Sequence, residues 1–181
     1  MPTWRGNTGS TTPVPRLAAV SILRVVCEVL VAAGISLIEI PLNSPEPINS
    51  IRAAAKTLQG KARVGAGTVL SQDEVDTVAA AGGAFVVSPD CNEAVIAQTL
   101  ARGLRSYPGV FSPTEAFRAI RAGAHGLKLF PAEVLGAKGI KAMKAVLPPA
   151  IPLYAVGGAN PENFEEFRSA GCTGFGIGIY L

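Results

Sequence analysis

Short apolar runs alternate along this chain with longer stretches in which apolar residues recur at helical spacing. The apolar runs predict eight strands, at residues 18–24, 35–42, 62–67, 84–88, 104–107, 125–130, 152–156 and 174–178. The stretches between them predict seven helices, at residues 25–33, 46–58, 71–81, 92–101, 112–122, 137–147 and 160–169. Strands that are apolar throughout and separated by helices are typical of a parallel sheet covered by helices.

The regular alternation of strand and helix favours a closed barrel. Eight repeats predict a small α/β fold of the (β/α)8 TIM-barrel type, with an open doubly wound sheet as the alternative. Several predicted helices begin at capping residues, such as Ser71 with Glu74 and Ser112 with Glu115. Gly, Ser, Thr and Pro dominate residues 1–17, which predicts a flexible arm before a single barrel domain over residues 18–181.

The composition indicates a compact protein, because 49% of its 181 residues are hydrophobic and only 16% are charged. The net charge of +3 is spread without a basic run, which gives nucleic-acid binding little support. The three cysteines lack CxxC spacing and favour reduced thiols over disulfides or a zinc site. No apolar run approaches the roughly 20 residues of a membrane span, and we expect a cytoplasmic protein.

One lysine interrupts the apolar run HGLKLF at residues 125–130. Side chains alternate along a strand, so Lys128 and Phe130 share one face while Leu127 and Leu129 share the other. If the leucines pack on the helices, Lys128 points into the barrel, where desolvation lowers a lysine pKa and the neutral amine can attack a carbonyl. A buried ion pair or a lysine that reaches the rim fits the same pattern, and the residue alone leaves these alternatives open.

Glu39 interrupts the run ISLIEIPL in the same way, near the C-terminal end of the second predicted strand. Active sites of (β/α)8 barrels lie at that end of the strands. A carboxylate facing Lys128 across the barrel could move protons as a general acid and base, or it could form a simple ion pair.

Two glycine-rich stretches predict an anion site. AVGGAN follows the seventh predicted strand and GFGIG forms the eighth, and loops at these places bind phosphate in many barrels. Thr68, in GAGTV after the third predicted strand, either binds a substrate carboxylate or caps the next helix. With His125 as the single histidine, the sequence supports neither a zinc site nor a Ser–His–Asp site.

Several of these stretches together resemble one known family. LIEIPLNSP, VGAGTVL, PGVFSPTEA, GLKLFPAE, KAVLP and AVGGANPEN are similar to the aldolases that cleave 2-keto-3-deoxy-6-phospho sugar acids, over residues 18–178. EIPLNSP resembles the 6-phosphogalactonate branch more than the 6-phosphogluconate branch, which usually carries an arginine where Asn43 stands.

The resemblance implies a class I aldolase on a (β/α)8 barrel, usually a homotrimer, that needs no metal or other cofactor and releases pyruvate and glyceraldehyde 3-phosphate. It implies Lys128 as the Schiff-base lysine and Glu39 as the acid and base. The remaining positions implied by the resemblance contact the substrate (Arg24, Thr68, Pro89 and Phe130) or its phosphate (Gly157, Gly158, Gly176 and Gly178).

The sequence departs from the family pattern at both ends. The segment from Arg24 to Glu39 is several residues shorter than in the family, and the usual glycine after ILR is missing. GIGIYL ends the chain where the family continues with a polar turn and a closing eighth helix, so we expect that helix to be absent. The gluconate epimer as substrate, a sugar-phosphate-binding barrel without catalysis, and a metal-independent isomerase are the alternative functions.

Overall fold

The computed structural model describes residues 16–178, without the side chains of residues 16–22 and 24, so the arm predicted at residues 1–17 lies almost entirely outside the described residues. The helices are α1 (Arg16–Ala32), α2 (Pro47–Thr57), α3 (Gln72–Ala80), α4 (Glu93–Ala101), α5 (Pro113–Arg121), α6 (Ala132–Val146) and α7 (Phe164–Ser169). The strands are β1 (Leu37–Pro41), β2 (Arg63–Gly67), β3 (Phe85–Val87), β4 (Arg105–Tyr107), β5 (Gly109–Val110), β6 (Leu127–Leu129), β7 (Leu153–Val156) and β8 (Gly174–Gly176).

All the strand pairs in the described residues are parallel and follow the order of the chain. Strands β1 to β4 form one sheet and β5 to β8 form a second. Only Pro108 separates β4 from β5. His125, just before β6, donates its N–H to Ser106 O of β4 (3.0 Å), while β6 pairs with β5 and Lys128 N–H donates to Pro108 O (2.9 Å). The two sheets are therefore joined through residues 105–110 into one curved wall, which confirms the prediction of an α/β fold built on parallel strands.

The two faces of this wall have different partners. The outward side chains of β6 and β7, including Leu127, Leu129 and Leu153, are fully buried with residues of α5, α6 and α7. Those of β1 and β2 form a second cluster with α1, α2 and α3. The inward face carries an aromatic layer in which Tyr107 stands edge-to-face with Phe85 and Tyr154, at centroid distances of 6.0 and 5.5 Å. Alternation along β6 therefore turns Lys128 into the interior, as predicted.

The strand predicted at residues 18–24 is wrong, because these residues belong to helix α1. Leu23, Cys27, Leu30 and Val31 of α1 contact one core cluster, and their spacing of four, seven and eight residues is that of one helix face. No glycine or proline interrupts residues 17–32, so nothing in the chain ends a strand at Arg24 and starts a new helix after it. Within residues 16–178, no strand lies between β8 and β1.

The other seven predicted strands and all the predicted helix regions are present with adjusted ends. Helix α6 starts five residues earlier than predicted and contains a kink at Gly136 (φ 63°, ψ 168°). Helix α7 starts four residues later than predicted, because residues 160–163 form a turn. Strand β5 was not predicted, since it is two residues long and follows Pro108 directly.

The predicted helix starts at Ser71 and Ser112 are confirmed as capping boxes. Each serine hydroxyl accepts the N–H of a glutamate three residues later, Glu74 or Glu115, and the glutamate carboxylate accepts the serine N–H in return. These reciprocal bonds fix where α3 and α5 leave the C-terminal ends of β2 and β5. None of the described helices has the length and apolar character needed to cross a membrane.

Candidate active site

Lys128 lies in the interior with only 8% of its surface exposed. Its Nζ atom is 4.7 Å from the centre of the Phe130 ring, which stands on the same strand face. Among the described carboxylates, none comes within salt-bridge distance of Lys128. The simple ion pair that the sequence left open is therefore not formed, and the amine remains available for chemistry.

Glu39 projects from the inward face of β1, opposite Gly65 of β2 in the register. Its carboxylate lies over Gly67, and a Cβ atom added to this glycine would overlap a carboxylate oxygen. The bare backbone at Gly67 thus creates the space in which the Glu39 side chain sits. Solvent reaches Glu39, whose side chain is exposed, while protein atoms still surround its carboxyl group on several sides.

The interior shifts the pKa of both groups toward their neutral forms. Desolvation raises the pKa of the Glu39 carboxyl above its ordinary value, and the charge of Lys128 opposes part of this rise. Desolvation lowers the pKa of the Lys128 ammonium, and the charge of Glu39 opposes that change in turn. The two groups therefore interact through space without a direct bond, and a larger fraction of Lys128 is neutral at pH 7 than for a surface lysine.

The backbone of Pro89 comes close to the strands that carry Lys128. Gly109 of β5 is the register partner of Lys128, and a Cβ atom added to Gly109 would overlap the carbonyl oxygen of Pro89. The absence of a side chain at Gly109 lets the end of β3 approach this point. Pro89, Gly109 and Lys128 thus lie in neighbouring positions around the wall.

Thr68 follows β2 directly and has a left-handed backbone, with φ of 58°. A residue with a branched Cβ rarely adopts this conformation, and such strain costs about 1–3 kcal/mol and concentrates at functional sites. The residue is partly exposed at the same end of the wall as Glu39 and Gly67. Ser71 caps the following helix, which removes the alternative that Thr68 is its cap.

Phe130 connects Lys128 with the first glycine-rich loop. Gly157 lies just after β7, and a Cβ atom added to it would be 3.3 Å from the Phe130 ring. Gly157 and Gly158 have φ of 86° and 74°, which favours glycine at both positions. The loop thus begins beside the aromatic ring that Lys128 contacts.

Side-chain amides hold this loop through a backbone carbonyl and leave the backbone N–H groups of Gly157 and Gly158 without an intramolecular acceptor among the described residues. Asn160 and Asn163 donate their Nδ2 hydrogens to Gly158 O, at 3.1 and 2.8 Å. Among the hydrogen bonds of residues 16–178, none uses the N–H of Gly157 or Gly158 as donor. Both N–H groups therefore remain available to donate to an anion.

The second glycine-rich stretch lies beside the first. Gly176 pairs with Val156 at the end of β7 and β8, so it lies next to the loop that begins at Gly157. Gly178 is exposed, with open space where a Cβ atom would stand. Arg24 lies within α1, so the strand end at which it was placed does not exist, and its side chain is outside the described residues.

Gly67 stands at a predicted strand end, whereas two other residues of the site, Gly109 and Glu133, were missed from the sequence. Gly67 is the last residue of β2 and Gly109 is the first residue of β5, and a glycine in a strand signals a close approach of another group. Glu133, at the start of α6, places its carboxylate beside Gly158, and its N–H donates to Gly157 O at 3.1 Å. Among the described residues, no three His, Cys, Asp or Glu side chains converge as metal ligands.

The amino-acid sequence matches the model of one family of enzymes. The model of the KDPG and KHG aldolase family matches residues 8–181. The chain belongs to this family. A probable 2-dehydro-3-deoxy-6-phosphogalactonate aldolase of Rhizobium meliloti is 47% identical over 84% of this chain and 72% of its own length. The 2-dehydro-3-deoxy-6-phosphogalactonate aldolase of Escherichia coli is 44% identical over 84% of this chain and 74% of its own length.

Solved structures agree with the KDPG and KHG aldolase assignment. A native KDPGal structure superimposes with a TM-score of 0.84 at 39% identity, over 93% of this chain and 84% of its own. A protein cage designed by fusing symmetric oligomeric domains has a TM-score of 0.82 at 41% identity. The superposition covers 87% of this chain and 57% of the fusion protein. These neighbours confirm the predicted barrel-type architecture.

One further relative bears on the chemistry of this aldolase family. KDPG aldolase from Legionella pneumophila, with pyruvate captured as a covalent carbinolamine, has a TM-score of 0.76 at 28% identity, over 87% of this chain and 76% of its own. A carbinolamine is the adduct of an amine with a carbonyl carbon, the first product on the way to a Schiff base. The family thus consists of carbon–carbon lyases of the class I type.

Proposed function

We propose that this protein is a class I aldolase that cleaves 2-dehydro-3-deoxy-6-phosphogalactonate to pyruvate and D-glyceraldehyde 3-phosphate. The single observation that carries the proposal is the buried amine of Lys128, which has no carboxylate within salt-bridge distance among the described residues. The relatives named for this substrate share 47% and 44% of aligned residues with the chain, whereas those named for the gluconate epimer share 34% or less.

In the proposed reaction, the neutral amine of Lys128 attacks the C2 keto carbon, and water leaves to give an imine. Glu39 delivers the proton needed for loss of water and then takes the proton of the C4 hydroxyl. The C3–C4 bond breaks, its electron pair moves toward the imine nitrogen to give an enamine, and the aldehyde product departs. Protonation at C3 and hydrolysis of the imine then release pyruvate and restore the amine.

The other proposed contacts follow the positions of the site residues. Thr68, Pro89 and Phe130 border the pyruvate half, since all three lie at the strand ends around Lys128 or Glu39. The N–H groups of Gly157 and Gly158 bind the phosphate, with Gly176 and Gly178 on the neighbouring strand end. For Arg24, only the resemblance to the aldolase family supports a substrate contact.

Two broader properties belong to the same proposal. We place the enzyme in the cytoplasm, supported by Cys27, Cys91 and Cys172, which are all free thiols. We also propose a homotrimer, supported by the symmetric oligomeric domains from which the related cage was designed. Light scattering after size-exclusion chromatography tests the trimer, and a mass of one chain would contradict it.

Borohydride trapping tests the mechanism. Incubation with pyruvate and borohydride is expected to reduce the imine to a stable adduct, which peptide mass spectrometry locates on Lys128. The variant Lys128→Arg should give no adduct and no cleavage, because the guanidinium stays protonated. An adduct on another lysine, or none, contradicts the proposed mechanism. Cleavage assays on both epimers decide between the galactonate and the gluconate substrate.

A further inference from the structure

A second cleft lies at the opposite end of the wall from Lys128 and Glu39. It has a volume of about 600 Å³ and is bordered by the first residues of β1, β2 and β4, which are Leu37, Arg63 and Arg105. Parallel strands start at this end and finish at the candidate active site. The cleft is therefore separate from the proposed aldolase site, and the inner aromatic layer of Tyr107 and Tyr154 stands between the two.

The charge around this cleft is entirely positive. Lys61, Arg63 and Arg105 line it together, and no aspartate or glutamate is among its lining residues. None of the three cations forms a salt bridge within residues 16–178. Elsewhere on the surface, Arg102 pairs with Asp76 at 2.7 Å. Three like charges around one cavity repel each other, and an anion bound between them removes that repulsion.

The backbone under these cations is well anchored. Arg63 N–H donates to Ser36 O at 2.9 Å, and Arg105 N–H donates to Ala84 O at 3.2 Å. Both arginines therefore start from fixed points at the beginnings of β2 and β4, on either side of β3, which reduces the ordering that binding would require. Tyr107 and Tyr154 add phenol hydroxyl groups to the lining, and these can donate to an anion without adding charge.

We propose that this cleft binds a small molecule that carries a phosphate group, at a site distinct from the aldolase site. Arginine presents a planar pair of donors that fits two oxygens of one phosphate, and lysine adds a point charge. The volume lies within the roughly 300–1,000 Å³ of small-molecule pockets. Arg63 and Arg105 are the principal ligands, and Lys61 contributes from the loop before β2.

Calorimetric titration of the full chain with inorganic pyrophosphate tests the site. Binding to the unmodified protein is expected, and Arg63→Gln and Arg105→Gln should each weaken it about tenfold, the usual effect of losing one charge-assisted contact. The matched control is Arg121→Gln, which removes the same charge from the exposed end of α5, at a residue that does not line the cleft. This control should bind pyrophosphate as the unmodified protein does.

Two further measurements separate this site from the proposed aldolase site. Pyruvate trapping on Lys128 should persist in Arg63→Gln and Arg105→Gln, which also shows that both variants are folded. Gly158→Ala, in the glycine-rich loop after β7, should leave pyrophosphate affinity at the cleft unchanged. The proposal is overturned if pyrophosphate does not bind, if Arg121→Gln weakens binding as much as the cleft variants, or if only Gly158→Ala weakens it.

Discussion

The carboxylate of Glu39 occupies the space that a side chain on Gly67 would fill. The two residues lie on adjacent strands, where Gly67 pairs with Pro41 and Glu39 pairs with Gly65. This contact ties the position of the proposed proton carrier to the absence of a single Cβ atom. It also explains why a glycine ends β2, where a larger residue would ordinarily favour strand stability.

The variant Gly67→Ala is expected to lower cleavage by about 100-fold, because a displacement of roughly 1 Å in a catalytic group has an effect of this size. The backbone of Gly67 is not left-handed, so alanine adds a clash without adding φ strain. Steady-state kinetics measure the loss. In a Glu39→Gln background the same change should have little further effect, and a full additional loss would mean that Gly67 acts by another route.

The pH dependence of adduct formation reports the pKa of Lys128. Burial lowers this pKa below the ordinary value of 10.5, so the trapping rate with pyruvate should rise with pH and level off at a lower pH than it would for an exposed lysine. The charge of Glu39 raises the pKa of Lys128. Glu39→Gln should therefore move the rise to lower pH, even though the maximum rate falls. A shift to higher pH would contradict the proposed coupling.

The loop at Gly157 and Gly158 is expected to affect binding more than chemistry. Gly158→Ala places a methyl group against the Glu133 carboxylate at a left-handed backbone position. The KM for the phosphorylated substrate should rise about tenfold or more, while pyruvate trapping on Lys128 stays near the unmodified rate. Gly103→Ala has the same backbone strain, with φ of 72° and open space around it, so it measures the effect of strain alone.

The capping boxes are expected to affect stability without affecting the reaction directly. Ser112→Ala removes the hydroxyl that accepts Glu115 N–H at the start of α5. The free energy of unfolding should fall by about 1 kcal/mol, the usual cost of losing such a cap. Chemical denaturation measures this change. Thr114→Ala, on the exposed first turn of the same helix, is the control and should alter stability much less.

Much of the fold could be predicted because local signals agree with the tertiary structure. The apolar runs at β1, β2, β6 and β7 give the strand positions, and Ser71 and Ser112 give two helix starts. The structure of residues 17–32 could not be predicted, because a mostly apolar run is compatible both with a strand followed by a helix and with a single helix. Tertiary packing of Cys27 and Leu30 decides for the helix.

The candidate site divides in the same way. Lys128 and Glu39 stand out in the sequence, since each is a charge within an apolar run. The contact of Gly67 with Glu39 and that of Gly109 with Pro89 could not be predicted, because each depends on which residue faces the glycine in the folded wall. Lys128 and Glu39 form no direct bond because of the distance between their side chains in the fold. The positions of the two residues in the sequence do not reveal that distance.

Because residues 18–24 belong to α1, no strand of the described residues pairs with the outer edges of β1 and β8. Within residues 16–178, β1 pairs only with β2 and β8 pairs only with β7, so one edge of each strand lacks a strand partner. The inward residues of β1 are exposed along its whole length, from Leu37 through Glu39 to Pro41. Water can therefore approach Glu39 from the flank of the barrel as well as from its mouth. Hydrolysis that frees pyruvate could then draw its water through the flank as well as through the mouth by which the aldehyde product leaves.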